Sequence, residues 1–423
     1  MPQTQSRWQQ WIEPWYLVYA VQGALVAGLL PILLPLAVNR TGNAANIGLV
    51  MAAFSFGGLT APLWGGLADR YRLHRWLLVG GLLIMTGGLV IFSLTTQPAI
   101  WTGLALFLGF GAAGSATVAN LFVVEAHPKS EWDERIGWLQ TFYGIGQVGG
   151  LLLAGILSLS DLRIGLIVGA GLSGIAAFLG WLTTKTPPVT PDPKPVLLHP
   201  ARHGEWVTSS PQRLFHHLDL TAIRKMGPSL LSPYGLFLIV WLLAIAGSAA
   251  FFSQYPILMQ KVYGIPSNTA SMAFAVVAGL GLVLYSPAGN WSEHYGPVRV
   301  MRAALGIRWL AYVGLLGLAF ARFGFQGGLA LLAFAFVVCA WSLISVSGTT
   351  LAAQLSPVGE GEGLGIFNAT NALAGVIGAS LGGWVAGRWG YSSIAALAVA
   401  GVGLGLVLSF LLSAAEAKSE NQA

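Results

Sequence analysis

GGLADRYRLHR, at Gly65–Arg75, is a short polar and basic stretch between two long apolar runs. A related stretch, GNWSEHYGPVR, occupies Gly289–Arg299 in the second half of the chain. At an offset of 224 residues the two stretches share a first glycine, a fifth acid, a seventh tyrosine and a last arginine. A match at the same place in each half indicates an internal duplication.

A second pair of segments repeats in the same order. Glu134–Gly155 matches Glu362–Gly383 at an offset of 228 residues. A glutamate and three glycines coincide, among them Gly137 and Gly365. Two ordered matches at nearly one offset predict that the chain consists of two similar halves.

The composition places these halves in a membrane. The chain has 423 residues, of which 55% are hydrophobic and only 9% are charged, whereas soluble domains carry roughly 25% charged residues. A surface so poor in charge suits lipid rather than water. The 56 glycines agree with this reading, because small residues let membrane helices approach one another closely.

Twelve apolar segments are each long enough for a membrane-spanning helix, which needs about 20 residues. The predicted fold is an all-α membrane protein with twelve transmembrane helices in two parallel-repeat six-helix bundles, residues 1–185 and 233–423. Residues 186–232 form a Pro-rich, charged linker, in which helical spacing near 211–226 predicts a short amphipathic helix on the membrane surface. The predicted spans are residues 15–38, 44–66, 76–97, 100–124, 136–159, 162–184, 233–256, 268–288, 299–320, 326–350, 363–386 and 390–414.

Basic residues predict the orientation in the membrane. An even number of spans places both termini on one side, which we call the terminal face, and the other side is the opposite face. The terminal face holds fifteen Lys and Arg residues and the opposite face holds five. Since an excess of Lys and Arg marks cytoplasmic loops, both termini are predicted to be cytoplasmic, in a plasma (inner) membrane. The net charge of +6 comes from these short loops, so no nucleic-acid partner is expected.

The stretch at Gly65–Arg75 is similar to the signature loop of the major facilitator superfamily, G-x-L-A-D-R-x-G-R-R/K-x-R/K, which lies between helices 2 and 3. Two positions depart from it, because Arg72 stands where a glycine is usual and His74 stands near a usual basic residue. Span count, linker position and the parallel repeat extend the resemblance over nearly the whole chain. The resemblance implies a secondary transporter whose two bundles rock around a central cavity. The fitting residues are Gly65, Leu67, Asp69, Arg70 and Arg75.

The resemblance also implies which residues act in gating. After the fourth span, Glu125 and later Arg135–Gly137 resemble the family's acid and R-G-x-x-x-G sequence. Asp69 and Glu293 are expected to bind the open N–H groups that start helices 11 and 5, and these contacts exist only while the terminal face is closed. The predicted gating residues are Gly65, Asp69, Arg70, Arg75, Glu125, Arg135, Gly289, Glu293 and Arg299.

Two further motifs are similar to those of drug-efflux members of this family. One is PILLP at Pro31–Pro35, and the other is Gly146–Gly155, which resembles G-x-x-x-G-P-x-x-G-G. In the second motif Leu151 replaces the proline and Ala154 replaces a glycine. The basic residue that drug antiporters often carry in helix 4 is absent. These departures weigh against proton-coupled drug antiport.

Helices 1, 4, 7 and 10 line the cavity of the resembled fold, and helices 5 and 11 add to it. Polar and aromatic side chains at these places form an uncharged set, which suits a neutral or amphipathic organic molecule. The predicted cavity residues are Tyr19, Gln22, Asn120, Tyr143, Gln147, Trp241, Phe251, Gln254, Trp341 and Asn371.

Charged residues inside the spans are scarce. All fifteen acids fall at span ends or in loops, so a central proton relay has no buried carboxylate to carry it. Protons stay a candidate coupling ion through Glu125, the acid nearest to the cavity. Arg308 lies about two turns into the ninth span. Because helix 9 is peripheral in the resembled fold, Arg308 is expected to extend to the cytoplasmic interface rather than contact substrate.

The sequence therefore predicts transport of a small neutral or amphipathic organic molecule by alternating access, with efflux favoured. Two alternatives stay open, namely uptake of a neutral solute such as a sugar and a receptor or assembly protein that reuses the fold. The G-x-x-x-x-G-K-S/T loop of ATP-driven proteins is absent. No catalytic residue, cofactor or metal site is indicated. The expected partners are the substrate and the lipid bilayer, and the expected state is a monomer.

Overall fold

The computed structural model describes residues 12–71, 73–127, 131–184, 232–321, 324–357 and 360–420. These residues form helices joined by short connections, with no strand among them. The predicted linker lies outside the described residues except for Ser232, and so does the amphipathic helix predicted near 211–226. The side chains of Asp69, Arg70 and Glu125 are also outside the described part.

Six helices, α1–α6, form the first half of the fold. Helix α1 contains a π-helical stretch, Ala24–Leu29, and α2 consists of two segments separated by a two-residue turn. Their bounds are Tyr16–Asn39 for α1, Ala44–Gly58 and Ala61–Tyr71 for α2, His74–Leu94 for α3, Pro98–Ala126 for α4, Trp132–Leu157 for α5 and Leu162–Thr183 for α6.

Six further helices, α7–α12, form the second half. Helix α7 is also divided, with Gln254 between its two segments. The bounds are Pro233–Ser253 and Tyr255–Tyr263 for α7, Ser267–Tyr295 for α8, Pro297–Phe320 for α9, Gln326–Gln354 for α10, Glu360–Trp389 for α11 and Ser392–Glu420 for α12.

Twelve membrane crossings follow from these bounds. Eleven helices of the described chain are long and apolar enough to cross a membrane by themselves. The remaining crossing is α2, whose first segment, Ala44–Gly58, has 15 residues and is continued by Ala61–Tyr71. The predicted fold class, an all-α membrane protein with twelve transmembrane helices, is confirmed.

Local sequence determines several helix ends. The backbone N–H of Ala45 donates to Oδ1 of Asn43 at 2.9 Å and caps α2. At the start of α6 the backbone N–H of Arg163 donates to Oδ1 of Asp161 at 3.1 Å. This bond, together with one from Arg40, keeps the pKa of the exposed Asp161 below its usual range. These caps satisfy N–H groups that a helix start leaves open.

The two halves contact each other between the middle of the membrane and the opposite face. The first segment of α2 packs on α11, and α5 packs on α8. A methyl group added to Gly48 would lie 2.6 Å from Cα of Gly383, so the α2–α11 contact requires glycine. Between α8 and α5, the Ser271 hydroxyl donates to the Leu151 carbonyl at 2.7 Å. The halves are therefore joined tightly on this side.

Candidate functional site

A cavity of about 520 Å³ lies between the two halves, within the usual size range of small-molecule sites. Side chains of α1, α2, α4 and α5 line it from the first half, and side chains of α7–α11 line it from the second. Small residues, mostly alanine and glycine, make up much of the wall. The polar and aromatic lining residues are Gln22, Phe54, Ser55, Tyr143, Gln147, Ser248, Phe252, Phe274, Arg308, Trp341 and Asn371.

Gln22 is the most constrained polar residue of the first-half wall. Its side chain is 1% exposed, and its Nε2 donates to the Ala112 carbonyl at 2.9 Å. The other amide atom, Oε1, is buried without a hydrogen-bond partner. Because buried polar atoms are normally paired, this oxygen is an unsatisfied acceptor in a residue of the cavity wall.

Glycines of α5 bring Gln147 to the same wall. Gly146 and Gly150 lie directly against the α1 backbone at Ala20 and Ala24, where an added methyl group would overlap the carbonyl oxygens. The glycine motif of α5 is thus a helix-packing surface of the small-xxx-small kind. It holds α5 on α1 with Gln147 and the neighbouring Tyr143 in the cavity wall.

Arg308 of α9 is the one charged residue among the residues that line the cavity. It is 3% exposed, and its Nε and Nη1 are buried without hydrogen-bond partners. The guanidinium carbon lies 5.5 Å from the ring centroid of Trp341, 5.7 Å from that of Phe252 and 6.0 Å from that of Tyr312. These distances are within the range of cation–π attraction.

The expectation that Arg308 extends to the cytoplasmic interface is wrong, and so is the expectation of an uncharged cavity. Arg308 follows Pro297, the start of α9, by eleven residues, which corresponds to about 16 Å along a helix. It belongs to the buried face of α9, in one row with Ala304, Leu305 and Ala311. This row turns the guanidinium toward the interior of the protein.

Half of the predicted cavity residues line the cavity. They are Gln22, Tyr143, Gln147, Trp341 and Asn371. Trp241 stands behind this set, where its Nε1 donates to Oδ1 of Asn371 at 3.2 Å, and its ring lies 6.2 Å from that of Trp341.

The other predicted cavity residues are placed outside the lining. Tyr19 packs on the ring of Tyr143 at 5.1 Å, and Asn120 donates to the Ala116 carbonyl at 3.0 Å. Phe251 is fully buried among the rings of the second half, 5.2 Å from that of Tyr312.

Gln254 differs most from its predicted position. The first segment of α7 ends at Ser253, so Gln254 lies beyond the level of the cavity, toward the opposite face. It is fully buried, and its Nε2 donates to the Ala44 carbonyl of α2 at 3.2 Å. Gln254 thereby joins the two halves instead of facing the cavity.

The predicted gating residues lie at the terminal face. Arg135 donates from Nε to Glu131 at 2.9 Å and from Nη1 to Glu13 at 3.2 Å, which ties the start of α5 to the segment before α1. Arg75 donates to the Trp181 carbonyl and lies 5.2 Å from the Trp181 ring.

In the second half, Glu293 and Arg299 are exposed. A methyl group added to Gly289 would have no neighbour within 4 Å. A methyl group added to Gly65 would have the Thr117 side chain as its nearest neighbour, at 3.7 Å.

Sequence reasoning did not single out Phe54, Ser55, Phe274 or Arg308 as cavity residues. The structure places Arg308 on the buried face of α9 together with Ala304 and Tyr312, which lie one helical turn away in each direction. A cation in a row of buried residues points inward rather than to lipid.

Twelve membrane crossings in two similar halves, with a cavity between them, define the class of two-bundle membrane transporters. The sequence model of the Major Facilitator Superfamily matches residues 15–360 and, in a second alignment, residues 236–423. The chain belongs to the Major Facilitator Superfamily, so the family suggested by the loop at Gly65–Arg75 is confirmed. It is a multi-pass integral membrane transporter.

The names of the relatives within the family refer to different functions. Multidrug resistance protein MdtG of Enterobacter lignolyticus is 28% identical over 368 residues, covering 84% of this chain and 77% of the relative. Probable anion transporter 4, chloroplastic, of Arabidopsis thaliana is 26% identical over 282 residues, covering 62% of this chain. The chain spans about half, 49%, of that relative.

A solved structure supports the fold. The crystal structure of nucleoside transporter NupG aligns with a TM-score of 0.72 at 16% identity, covering 95% of this chain and 98% of that chain. At this identity the likeness concerns the fold alone.

Proposed function

We propose that the protein exports a small amphipathic organic molecule by alternating access. The observation that carries this proposal is the central cavity, which lies at the contact of the two halves and is lined from both of them. Rocking of the halves around such a site opens it to each face in turn. Export is supported by the PILLP motif of α1 and by the similarity to MdtG, whose name refers to multidrug resistance.

The positions of the contacts between the halves support a state that is closed at the opposite face. Gly48 touches Gly383 there, and Gln254 reaches Ala44. We therefore assign the entrance of the cavity in this state to the terminal face. The excess of Lys and Arg supports a cytoplasmic location for that face, and the cavity is then poised to take substrate from the cytoplasm.

The chemistry of the lining supports an amphipathic substrate. Aromatic and small apolar side chains provide most of the wall, while Gln22, Gln147 and Asn371 supply uncharged polar contacts. A mostly apolar pocket with a few placed polar groups is typical of sites for organic molecules. The cavity is complete within one chain, so the monomer is the proposed transporting unit.

Gating and coupling follow from the distribution of acids. Asp69 and Glu293 are proposed to bind the starts of α11 and α5 only when the terminal face closes, and the exposure of Glu293 in this state agrees with that.

Without a carboxylate in the middle of a span, transport is proposed to respond weakly to a pH gradient. Proton coupling through Glu125 would instead give a steep response that Glu125→Gln abolishes.

Substrate counterflow in proteoliposomes tests the proposal without assuming a coupling ion. Vesicles preloaded with one of a panel of amphipathic compounds should accumulate a trace of the labelled compound. Ala113→Trp should abolish counterflow, because Ala113 lines the cavity. Ile307→Trp is the matched control, since Ile307 is 43% exposed on the lipid-facing side of α9.

The direction of transport is read in intact cells. Expression should lower the accumulation of a counterflow substrate, whereas higher accumulation would favour the uptake of a neutral solute. Equal counterflow in Ala113→Trp and Ile307→Trp would contradict a transport path through the central cavity, and absence of counterflow for the whole panel would contradict the proposed substrate class.

A further inference from the structure

A buried cation in the cavity wall has no carboxylate partner among the described residues. Arginine carries a positive charge in proteins, and Arg308 lies near the middle of α9, eleven residues after Pro297. Two of its three nitrogens have no hydrogen-bond partner. A charge at this depth is costly unless it is paired, and such residues mark substrate or ion pathways.

The surroundings of Arg308 attract its charge but leave donors unused. Phe252 and Trp341 both line the cavity, and their ring centroids lie within 5.7 Å of the guanidinium carbon. Ring faces stabilise a cation through their quadrupole. They do not replace the strong acceptor oxygens that a guanidinium normally binds. The site thus combines apolar aromatic surface with a cation that still needs an acceptor.

In the part of the chain that the structure describes, no helix carries an Asp or Glu at this depth to supply the acceptor. Every Asp and Glu in the described helices lies within four residues of a helix end, and Arg308 is near the middle of its helix. Helix ends lie near the membrane surfaces, so these acids are separated from Arg308 by several helical turns. The missing counter-charge must come from a molecule that enters the cavity.

We infer that the transported molecule is an organic monoanion, with an aromatic or other apolar body and one carboxylate or sulfonate that pairs with Arg308. This inference rests on the proposed function and defines its substrate class. The anionic group binds the second half, and a hydrogen-bond donor on the same molecule contacts the amide of Gln22, which lines the first-half wall of the cavity. A dianion is disfavoured, because one guanidinium balances one charge.

Binding of matched acid and amide probes tests this inference. The probes are 2-naphthoate, indole-3-acetate and biphenyl-4-carboxylate, each paired with its carboxamide, titrated by calorimetry into the purified full-length protein. The wild type should bind the carboxylate about tenfold or more tightly than the amide, since charge-assisted hydrogen bonds exceed neutral ones. In Arg308→Gln this ratio should fall to about one while the affinity for the amides is kept, which also shows that the variant is folded.

Two further variants make the result specific to the cavity. Arg308→Lys should keep part of the preference, because it keeps the charge without the planar donor fork. Arg302→Gln removes a cation from the same helix outside the cavity lining and should keep the full preference. Equal binding of acid and amide by the wild type, absence of binding for all three pairs, or an unchanged ratio in Arg308→Gln would each overturn the inference.

Inorganic anions are the competing source of counter-charge. The titrations are repeated in sodium chloride and in sodium gluconate. An organic anion site should keep its preference for the carboxylates in both salts. Chloride binding that depends on Arg308, without any preference for carboxylates over amides, would show an inorganic anion site only and would overturn the inference. Counterflow of neutral compounds in that case would leave the proposed transport function standing, so the two failures are distinguishable.

Discussion

Helices α3 and α9 are the third helices of their halves, yet they differ in charge and in what they contribute to the cavity. At the repeat offset between Gly65 and Gly289, Arg308 of α9 corresponds to Ile84 of α3. Ile84 is 38% exposed toward lipid, whereas Arg308 is 3% exposed. The cavity lining includes Arg308 but no residue of α3.

This difference shows where two similar halves have diverged. The scaffold that both halves need for membrane packing is kept, including the glycines and the loops after α2 and α8. The cation of α9 does not serve that scaffold, because α3 fills the equivalent place with apolar side chains. Because this position of the repeat carries a buried charge in only one of the two halves, we expect Arg308 to serve the site rather than the fold.

The largest effect is expected when the charge of α9 is copied to α3. Ile84→Arg places a guanidinium near the middle of a lipid-facing helix, which costs about 2.5–3.5 kcal/mol of insertion free energy. The amount of folded protein in the membrane should drop sharply, measured by fluorescence-detected size-exclusion chromatography. Ile84→Met is the control and should behave like the wild type. A normal yield of folded Ile84→Arg would mean that α3 tolerates the cation, which would contradict the proposed difference between α3 and α9.

The reverse exchange should stabilise the protein while removing function. Arg308→Met makes α9 resemble α3 and removes an unpaired buried charge, so the ligand-free protein should gain about 1–3 kcal/mol of stability and a higher Tm. The matched control is Arg302→Met. Arg302 donates to the Ser409 carbonyl at 2.8 Å, and its loss should lower the Tm. A lower Tm for Arg308→Met would indicate that the cation supports the fold.

The smallest effect is expected on the opposite wall of the cavity. Gln22→Leu removes one amide that contacts the Ala112 carbonyl and lines the cavity, where we propose that it hydrogen-bonds the ligand. Affinity for carboxylate and amide probes should fall by the same factor, about fivefold to tenfold, as expected for one neutral hydrogen bond of about 1 kcal/mol. A selective loss of carboxylate binding, measured by the same calorimetry, would mean that Gln22 takes part in recognising the charge, which would contradict its assignment to Arg308 alone.

The sequence was sufficient for the fold because membrane helices have a strong signal. Apolar runs of about 20 residues and the paired loops at Gly65 and Gly289 located the twelve spans and the duplication. Half of the predicted cavity residues line the cavity, since helical depth in the membrane follows directly from position along a span.

The wrong predictions concern the rotation of α9 about its axis and the break in α7. Neither property follows from the depth of a residue in the membrane. Arg308 was assigned to the interface because helix 9 is peripheral in the resembled fold, although its row of buried neighbours turns it inward. Gln254 was assigned to the cavity because the predicted seventh span, residues 233–256, includes it and helix 7 lines the cavity of the resembled fold. The helix breaks there, and Pro256 in the first turn of the next segment was the available signal.

Thiol labelling at two depths tests alternating access most directly. In a Cys339→Ala background, one single cysteine replaces Ala113 in the cavity wall, and another replaces Ala379, which is 2% exposed beside Gly48. In this state, a membrane-impermeant maleimide should label Ala113→Cys from the terminal face and leave Ala379→Cys unlabelled from the opposite face.

Gly48→Leu then forces the opposite face open, because no side chain fits between Gly48 and Gly383. Labelling of Ala379→Cys from the opposite face should rise in this variant, and labelling of Ala113→Cys from the terminal face should fall. Labelling that rises at Ala379→Cys while staying unchanged at Ala113→Cys would mean that the two faces open independently, and this result would contradict transport by alternating access.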